Sequence, residues 1–239
     1  MSDFEVILYE KNDNKGYITL NRPKALNAYN IKMRDELYEA LSAANDDPEI
    51  AVIILKAAGE KAFCAGADLS EFLTAPPPVA ARQARFERDI WGLFLKIKKP
   101  IIAALHGYVL GSGIEMAMCC DIRVASEDAK FGVPEMGLGI IPAAGGSQTI
   151  PRIIGRGYAF EMLLSGRWIT ADEAKKIKMV NRVVPRPELL PTVEKIADKI
   201  RSYDWTALTC AKRAVVEGLD LPLRNGLALE ARLGSLLLN

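Results

Sequence analysis

The pattern of hydrophobic and polar residues predicts a regular succession of strands and helices along the first part of the chain. The β-prone runs "FEVILYE" and "GYITLN" flank the polar segment "KNDNKG", which predicts a hairpin. A helix is expected next, with Asn30 as a possible N-cap and "DDP" as its end. Its apolar residues recur at helical spacing: Met33, Leu37, Ala40, Leu41 and Ala44. "AVIILKA", at 51–57, is a continuous apolar run typical of a strand covered on both faces.

The later part of the pattern becomes mainly helical. A loop at "GEKAFCAGADLSEF" and a break at "TAPPP" precede four predicted elements: a helix over about 80–98, a buried strand in "PIIAALHGYVLG", an all-apolar helix from Gly111 and a strand in "IRVASE". Further helices are predicted at about 145–165, 171–177, 187–202, 204–218 and 223–237. We predict a single α/β domain, with an α/β core over residues 1–166 and a helical C-terminal region over 167–239.

The overall composition indicates a soluble globular protein without a polyanionic partner. Of the 239 residues, 50% are hydrophobic and 26% charged. Because 31 Lys and Arg residues stand against 30 Asp and Glu residues, no strong field attracts nucleic acid. No uninterrupted apolar run reaches about 18 residues, and the N-terminus lacks a basic region followed by an apolar stretch. We therefore expect a cytoplasmic protein with neither nucleic acid nor a membrane as partner.

Two carboxylates are isolated in apolar, glycine-rich stretches. Glu115 is the only charged residue from Gly107 to Cys120, and Glu135 is the only one from Phe131 to Pro151. Burying a lone carboxylate costs on the order of several kcal/mol or raises its pKa, so a structural ion pair would explain either acid alone. Two such acids beside glycines with exposed N–H groups fit a shared cleft that holds one water between them.

Two glycine turns offer backbone donors. "GSG", at 111–113, lies between an apolar strand and a helix, so its N–H groups lie at the positive end of the helix dipole. "CAGAD", at 64–68, is a second tight turn after a strand. Donors from both turns aimed at one oxygen would form an oxyanion hole, although two ordinary glycine turns would give the same pattern.

Other chemistries lack their sequence motifs. His106 is the only histidine, and its place after an apolar strand is more typical of a hydrogen-bonded core histidine than of a base. No GxSxG motif surrounds Ser112, Ser147 or Ser165, which disfavours a serine hydrolase. The chain has no GxxxxGK[ST] motif and no GxGxxG that opens a helix. One histidine with unclustered cysteines predicts no metal site.

Several segments together resemble the enoyl-CoA hydratase/isomerase (crotonase) superfamily. They are "ITLNRPKALNAYN", "AFCAGADLSEF", the long stretch from "KKPIIAALHGYVLGSGIEMAMCC" to "SGRWITADEA", and "MVNRVVP", and they cover most of residues 15–235 in the family's order. The resemblance implies a spiral of ββα units followed by a helical C-terminal region that mediates trimerisation. It also implies a homotrimer or dimer of trimers that binds acyl-CoA thioesters, with no cofactor besides the coenzyme A of the substrate.

The resemblance also assigns roles to individual positions. The oxyanion donors would be the amides of Ala67 and Ser112; Ser112 replaces the family's usual glycine and would serve if serine can adopt the required φ and ψ. Asp68 and Asp121 look structural. The positions that match the CoA and substrate site are Lys24, Ala25, Leu26, Ala65, Ala67, Asp68, Leu69, Gly111 and Ser112.

The pair of acids determines which activity the resemblance favours. Family hydratases keep both acids, whereas many double-bond isomerases keep only the one that matches Glu135. The presence of Glu115 therefore predicts an enoyl-CoA hydratase, a hydro-lyase of the kind used in fatty acid β-oxidation. A Δ3,Δ2-enoyl-CoA isomerase and an acyl-CoA thioester hydrolase stay open as alternatives, and near-neutral composition disfavours an RNA-binding member. Acyl specificity is not readable, since ordinary core packing explains Phe72, Trp91 and Phe94 as well as a pocket floor does.

Overall fold

The computed structural model describes residues 4–72 and 88–238, with Phe72 described by its backbone only. In chain order its strands are β1 Ile7–Asn12, β2 Lys15–Leu20, β3 Val52–Ala57, β4 Ala62–Cys64, β5 Ile101–Leu105, β6 Tyr108–Leu110, β7 Ile122–Ser126, β8 Lys130–Gly132, β9 Ile169–Thr170 and β10 Arg182–Val184. Its helices are α1 Ile31–Asp46, α2 Leu69–Phe72, α3 Ile90–Lys96, α4 Ser112–Cys119, α5 Gly146–Ile154, α6 Arg156–Ser165, α7 Ala171–Lys176, α8 Leu189–Arg201, α9 Trp205–Gly218 and α10 Leu223–Ser235.

The strands alternate between two sheets. The larger sheet has the order β1-β2-β3-β5-β7-β10, in which β1 is antiparallel to β2 and the other neighbours are parallel. The smaller sheet has the order β4-β6-β8-β9. Because β3, β5 and β7 are each followed by a strand of the smaller sheet, the chain winds as a spiral of ββα units, which confirms the predicted fold class.

Local sequence explains how the first elements begin and end. The hairpin turns at Asp13 and Asn14, whose φ values of 50° and 57° are those of a two-residue turn that matches the twist of the strands. The side chain of Asn30 accepts a hydrogen bond from the Met33 amide, which confirms Asn30 as the N-cap of α1. The predicted hairpin and the first helix are therefore both present.

The central strand β3 is covered on both faces, as its continuous apolar run predicts. Ile53 and Leu55 belong to the larger core cluster, which includes the buried face of α1. Val52 and Ile54 face the opposite way and pack with Leu189 and other residues of α8. This buried sheet positions the loops at the ends of its strands, where the candidate site lies.

The structure differs from the sequence-based expectations where elements are short. The loop predicted at "GEKAFCAGADLSEF" contains β4 and α2. The strand predicted in "PIIAALHGYVLG" is broken between β5 and β6 at Gly107, whose φ is +54° and where a Cβ would lie 2.1 Å from the Lys61 carbonyl oxygen.

The second half shows two further differences from the prediction. The helix expected over 145–165 ends at Gly155, which has φ of +80°, and resumes as α6. The C-terminal region is not entirely helical, because β9 and β10 add one strand to each sheet. Of the helix predicted over 80–98, residues 90–96 are helical and 80–87 lie outside the described residues.

A membrane-spanning helix needs about 20 consecutive, mainly apolar residues. Within residues 4–72 and 88–238, no helix has both the length and the apolar character that a membrane span requires.

Candidate active site

The two glycine turns that were expected to supply oxyanion donors lie against each other. A Cβ on Gly111 would lie 3.4 Å from the Gly66 Cα atom, and one on Gly66 would lie 3.5 Å from the Leu110 carbonyl oxygen. These are van der Waals distances, so the two turns are in contact, and the positive φ values of Gly66 and Gly111, 107° and 49°, disfavour any other residue at either position. The residues that follow the two glycines, Ala67 and Ser112, are thus brought to neighbouring positions on the turns.

In the described part of the chain, no backbone hydrogen bond uses the amide of Ala67 or of Ser112, the two predicted donors. Tyr29 forms a parallel bridge with Ala67 by donating to the Gly66 carbonyl oxygen and accepting from the Asp68 amide, each at 2.8 Å. In a parallel bridge this pattern directs the amide of Ala67 away from Tyr29. Ser112 is the first residue of α4, where an N–H group has no partner within the helix.

The unusual backbone conformation at the second turn falls on Gly111 and not on Ser112. Gly111 has φ of 49° and ψ of −119°, which favours glycine. Ser112 begins α4 and is not among the residues with positive φ. The serine in place of the family's usual glycine therefore causes no backbone strain at this position.

Glu115 lies in the first turn of α4 with its carboxylate at the N-terminus of α5. The side chain is buried, with 2% of its surface exposed. Its Oε1 accepts hydrogen bonds from the amides of Ala144 at 3.0 Å and Gly146 at 2.9 Å. Two amide donors and the positive end of a helix dipole both stabilise the ionised form of a carboxylate.

Glu135 occupies a contrasting environment in the 3₁₀ turn Pro134–Leu138. Its Oε2 is buried and has no hydrogen-bond partner among the described residues. Burial raises the pKa of this carboxyl group above its ordinary value. Its Oε1 lies only 2.7 Å from the position that a Cβ on Gly111 would occupy, so the carboxyl group lies directly over the second glycine turn.

Each acid lies in one of two apolar stretches, residues 107–120 (the window of Glu115) and 131–151 (the window of Glu135). The two windows are in contact, and each supplies backbone to the acid of the other. The amides that hold Glu115 come from the window of Glu135, and the glycine beneath the Glu135 carboxyl group comes from the window of Glu115. A Cβ on Gly146 would lie 2.8 Å from the Glu115 Oε1 atom, so glycine is needed on this side as well. The Glu135 carboxyl group thus lies over the Gly111 turn, and the helix that carries Glu115 begins at the same turn.

The loop predicted to bind CoA lies next to the first glycine turn. Lys24 and Ala25 belong to the 3₁₀ turn Pro23–Ala25, and Leu26 ends it with φ of 51°. The Leu26 carbonyl oxygen accepts a hydrogen bond from the Ala65 amide at 3.1 Å, which joins the two segments. A cleft of about 360 Å³ is lined by Lys24, Leu26 and the loop that precedes β4.

Of the remaining positions predicted to bind substrate, Leu69 lies at the surface and Asp68 is bound to other side chains of the protein. Leu69 is half exposed at the start of α2. The Asp68 carboxylate pairs with Arg22 at 2.8 Å and accepts the Ser70 hydroxyl at 2.6 Å, and these two partners lower its pKa, Ser70 most strongly. Asp68 therefore holds the turn in shape with groups of the protein itself.

Asp121 is likewise bound to the scaffold. Its Oδ2 accepts from the Ile101 amide at 2.7 Å and from the Lys212 Nζ at 2.8 Å. These contacts tie α9 to the start of β5.

His106 is buried, as predicted, but it is not a fully hydrogen-bonded histidine. Its Nε2 has no partner within the described part of the chain, so that part of the prediction is wrong. Burial, and then the charge of Arg186, lowers the pKa of His106 to about 4. The ring is therefore neutral at neutral pH.

The sequence did not identify the residues that position Glu115. Ala144 and Gly146 act through main-chain amides, which carry no side-chain signature. The one available signal was the pair Gly145 and Gly146 at the start of a helical pattern, because a helix N-terminus is a ready anion site. Among residues 4–72 and 88–238, no cluster of three or more potential metal ligands occurs.

Comparison with known proteins finds a matching family model and many similar proteins, several of them named as enoyl-CoA hydratases. Residues 10–238 match the profile of the enoyl-CoA hydratase/isomerase family. A crotonyl-CoA hydratase of Syntrophomonas wolfei is 41% identical over 228 residues, which cover 95% of this chain and 88% of that protein. A short-chain-enoyl-CoA hydratase of Clostridium acetobutylicum is 39% identical over 94% of this chain and 86% of that protein. The crystal structure of an enoyl-CoA hydratase from Bacillus anthracis has a TM-score of 0.92 and 37% identity, and covers 97% of this chain and 90% of that one.

Proposed function

Because the chain belongs to the enoyl-CoA hydratase/isomerase family, we propose that it catalyses the reversible addition of water to a 2-enoyl-CoA, giving a 3-hydroxyacyl-CoA. Relatives named as enoyl-CoA hydratases support a hydro-lyase as the general activity. The finer proposal rests on one observation: the turn at Gly111 has the half-buried Glu135 carboxyl group over it and begins the helix that carries the buried Glu115, and the carboxyl groups of these two acids have contrasting environments.

In the proposed complex the substrate thioester oxygen accepts hydrogen bonds from the Ala67 and Ser112 amides. These donors withdraw electrons from the conjugated double bond and make its Cβ atom electrophilic. They also stabilise the enolate that forms when the oxygen of water attacks Cβ. Main-chain donors of this kind need no reorganisation during the reaction, and loss of one typically costs about 10²- to 10³-fold in rate.

The two acids divide the proton transfers in this proposal. Glu115, whose Oε1 accepts hydrogen bonds from two amides, takes a proton from water as the water oxygen bonds to Cβ. Glu135, whose raised pKa favours the protonated form, donates a proton to Cα. The addition is redox-neutral, so the proposal includes no cofactor besides the coenzyme A of the substrate. Lys24 and the adjoining cleft are proposed to hold the CoA moiety.

The decisive experiment is a thioester panel with three readouts. Crotonyl-CoA reports hydration through loss of the absorbance of the conjugated thioester, a 3-enoyl-CoA reports isomerisation, and free thiol reports hydrolysis. We expect hydration to dominate, and Glu115→Gln and Glu135→Gln each to reduce it by about 10²- to 10⁴-fold. Glu217→Gln, an exposed glutamate paired with Arg213 on α9, is the matched control.

Each outcome of the panel assigns a different activity. Full hydration by Glu115→Gln would remove the role proposed for that residue. Isomerisation of the 3-enoyl-CoA that survives in Glu115→Gln, without hydration by the wild type, would assign an isomerase instead. Thiol release without hydration would assign a thioester hydrolase.

A further inference from the structure

Gly113, the second residue of α4, packs against Cys64 at the end of β4. A Cβ atom added to Gly113 would lie 2.4 Å from the Cys64 carbonyl oxygen and 2.9 Å from the Cys64 Cβ atom. Atoms in ordinary contact are about 3.5 Å apart, so a side chain here would have to push the two segments apart by about 1 Å. Cys64 is completely buried in the core cluster, which leaves β4 little room to move. The contact therefore depends on the absence of a side chain at position 113.

Ser112 lies between two close contacts with the first glycine turn. On one side, a Cβ atom on Gly111 would lie 3.4 Å from the Gly66 Cα atom. On the other side, Gly113 lies against Cys64, two residues before Gly66 in the chain. The amide of Ser112 is therefore held relative to the first glycine turn at two points, one on either side of it.

The backbone and the Cβ atom of Cys64 form this contact, and its thiol group does not. The atoms nearest to a Cβ on Gly113 would be the oxygen, the Cβ and the carbonyl carbon of Cys64. The Cys64 Sγ atom instead lies 3.8 Å from the Gly66 carbonyl oxygen. Burial raises the pKa of this thiol to about 12, so it is neutral at neutral pH and a poor nucleophile. Cys64 thus contributes a rigid surface to the site and no reactive group.

We infer that Gly113 is a positioning residue, which keeps the amides of Ala67 and Ser112 close enough together to bind one thioester oxygen. The inference deepens the proposed function and rests on the oxyanion hole within it. An N–H···O hydrogen bond has an N···O distance of about 2.7–3.2 Å, so a displacement of about 1 Å leaves the oxygen within reach of only one donor. Loss of one donor typically costs about 10²- to 10³-fold in rate. A methyl group at position 113, which would face Cys64, should therefore slow the reaction.

The test measures how strongly the protein polarises the carbonyl group of a bound thioester. The probe is butyryl-CoA labelled with ¹³C at its carbonyl carbon. It has no double bond to hydrate, and its carbonyl stretching frequency falls as hydrogen bonds to the oxygen strengthen. Infrared difference spectra should show a lowered frequency for the probe bound to the wild type, and Gly113→Ala should remove most of this change. Gly113→Ala should also lower kcat for crotonyl-CoA by about 10²- to 10³-fold, with KM changed by less than about threefold.

Two control variants show whether the effect belongs to this contact. Gly157 is also the second residue of its helix, α6, and a Cβ added there would meet no atom within 4 Å. Gly157→Ala should therefore keep both the lowered frequency and the wild-type kcat. Glu115→Gln should lose hydration but keep the lowered frequency, because the proposed partner of Glu115 is water and not the thioester oxygen.

Because the infrared measurement needs no hydration, it separates this inference from the proposed reaction. If the wild type lowers the carbonyl frequency and Gly113→Ala does not, but neither protein hydrates crotonyl-CoA, the inference holds and the proposed function fails. If the wild type hydrates crotonyl-CoA and Gly113→Ala keeps the lowered frequency, the proposed function holds and the inference is wrong, whatever the loss of rate. An unchanged frequency in the wild type would overturn the inference together with the oxyanion hole on which it rests.

A second variant replaces Gly113→Ala if that protein does not fold. Cys64→Val adds a methyl group to the Cβ atom on the other side of the same contact. It should bring the carbonyl frequency part of the way back toward that of free butyryl-CoA. A folded Cys64→Val protein with the wild-type frequency would contradict the inference.

Discussion

The carboxyl groups of Glu115 and Glu135 have different surroundings, because the backbone supplies hydrogen-bond donors to one and leaves an oxygen of the other buried. Two amides from the start of α5 stabilise negative charge at Glu115. At Glu135 one oxygen is buried with no hydrogen-bond partner in residues 4–72 and 88–238, and removal from water disfavours its charge. In the proposed reaction this difference would let Glu135 serve as the acid and Glu115 as the base at the same pH.

The raised pKa of Glu135 predicts the direction in which the stability of the protein changes with pH. When the pKa of a group is higher in the folded than in the unfolded state, its full contribution to the free energy of unfolding is present below the unfolded-state pKa. That contribution is lost as the pH rises through the folded-state pKa. Wild-type protein should therefore lose stability relative to Glu135→Gln as pH rises above 4.5, the ordinary value for glutamate. Urea unfolding of both proteins across this pH range measures the difference.

The control variant, Glu217→Gln, should show a change of stability with pH in the opposite direction. Arg213 lowers the pKa of Glu217, so wild-type protein should gain stability relative to Glu217→Gln as pH rises. A pH-independent difference for Glu135→Gln would contradict the environment described for its carboxyl group.

A glycine substitution tests how closely Glu115 is held. In Gly146→Ala the new Cβ would lie 2.8 Å from Glu115 Oε1 and 2.9 Å from Pro142 Cβ, so the carboxylate must shift. A displacement near 1 Å typically costs about 10²-fold in rate, and we expect a loss of roughly that size in hydration. Gly157→Ala in α6, where no atom lies within 4 Å of the added Cβ, should keep full activity. Equal activity in the two variants would contradict the assigned position of the carboxylate.

At the residue scale, side-chain chemistry could be predicted from the sequence and main-chain chemistry could not. Glu115 and Glu135 are conspicuous as lone charges in apolar windows. The donors from Ala144 and Gly146 are invisible in the sequence, since every residue except proline carries an amide.

At the scale of elements, a buried glutamate fastens the first strand to the first helix. Glu36 of α1 is 6% exposed, and its carboxylate accepts hydrogen bonds from the amides of Glu5, Val6 and Ile7 at 3.0, 2.8 and 3.0 Å. These donors would lose their partner if the carboxylate were removed. Helix α1, which follows the 3₁₀ turn Pro23–Ala25, is thus joined to β1 at the edge of the larger sheet.

We expect Glu36→Ala to lower the free energy of unfolding by about 3 kcal/mol, because it leaves buried donors unpaired. Glu39→Ala provides a control on the same helix. Its side chain is 54% exposed and pairs with Arg88, so its loss should cost less than about 1 kcal/mol. Chemical denaturation of the two variants checks the ranking, and equal losses would show that the carboxylate does not fasten β1.

Element length explains which parts of the fold were predictable. The longer apolar patterns of α1, β3 and α4 allowed their existence and type to be predicted. β4 and β10 have three residues each, too few to establish a periodicity, and they form because neighbouring strands offer them a ladder. The single helix expected over 145–165 is interrupted where Gly155 adopts a left-handed φ.

At the scale of the whole molecule, the helical hairpin of α9 and α10 has little core of its own. Its buried cluster consists of Cys210, Leu229 and Leu233. Large apolar side chains on the same hairpin are exposed, among them Leu223 at 79% and Leu227 at 54%. Such a concentration of exposed apolar surface is typical of a protein interface.

We therefore predict self-association through this hairpin, as the homotrimer or dimer of trimers that the sequence resemblance implies. Leu223 and Leu227 are four residues apart and share one face of α10, so Leu223→Glu/Leu227→Glu would bury charge at the interface. Sedimentation velocity should give three or six times the monomer mass for the wild type and the monomer mass for this variant. Leu8→Glu, on the exposed side of β1, should assemble normally. A wild-type monomer, or a variant that assembles fully, would rule out this hairpin as the interface.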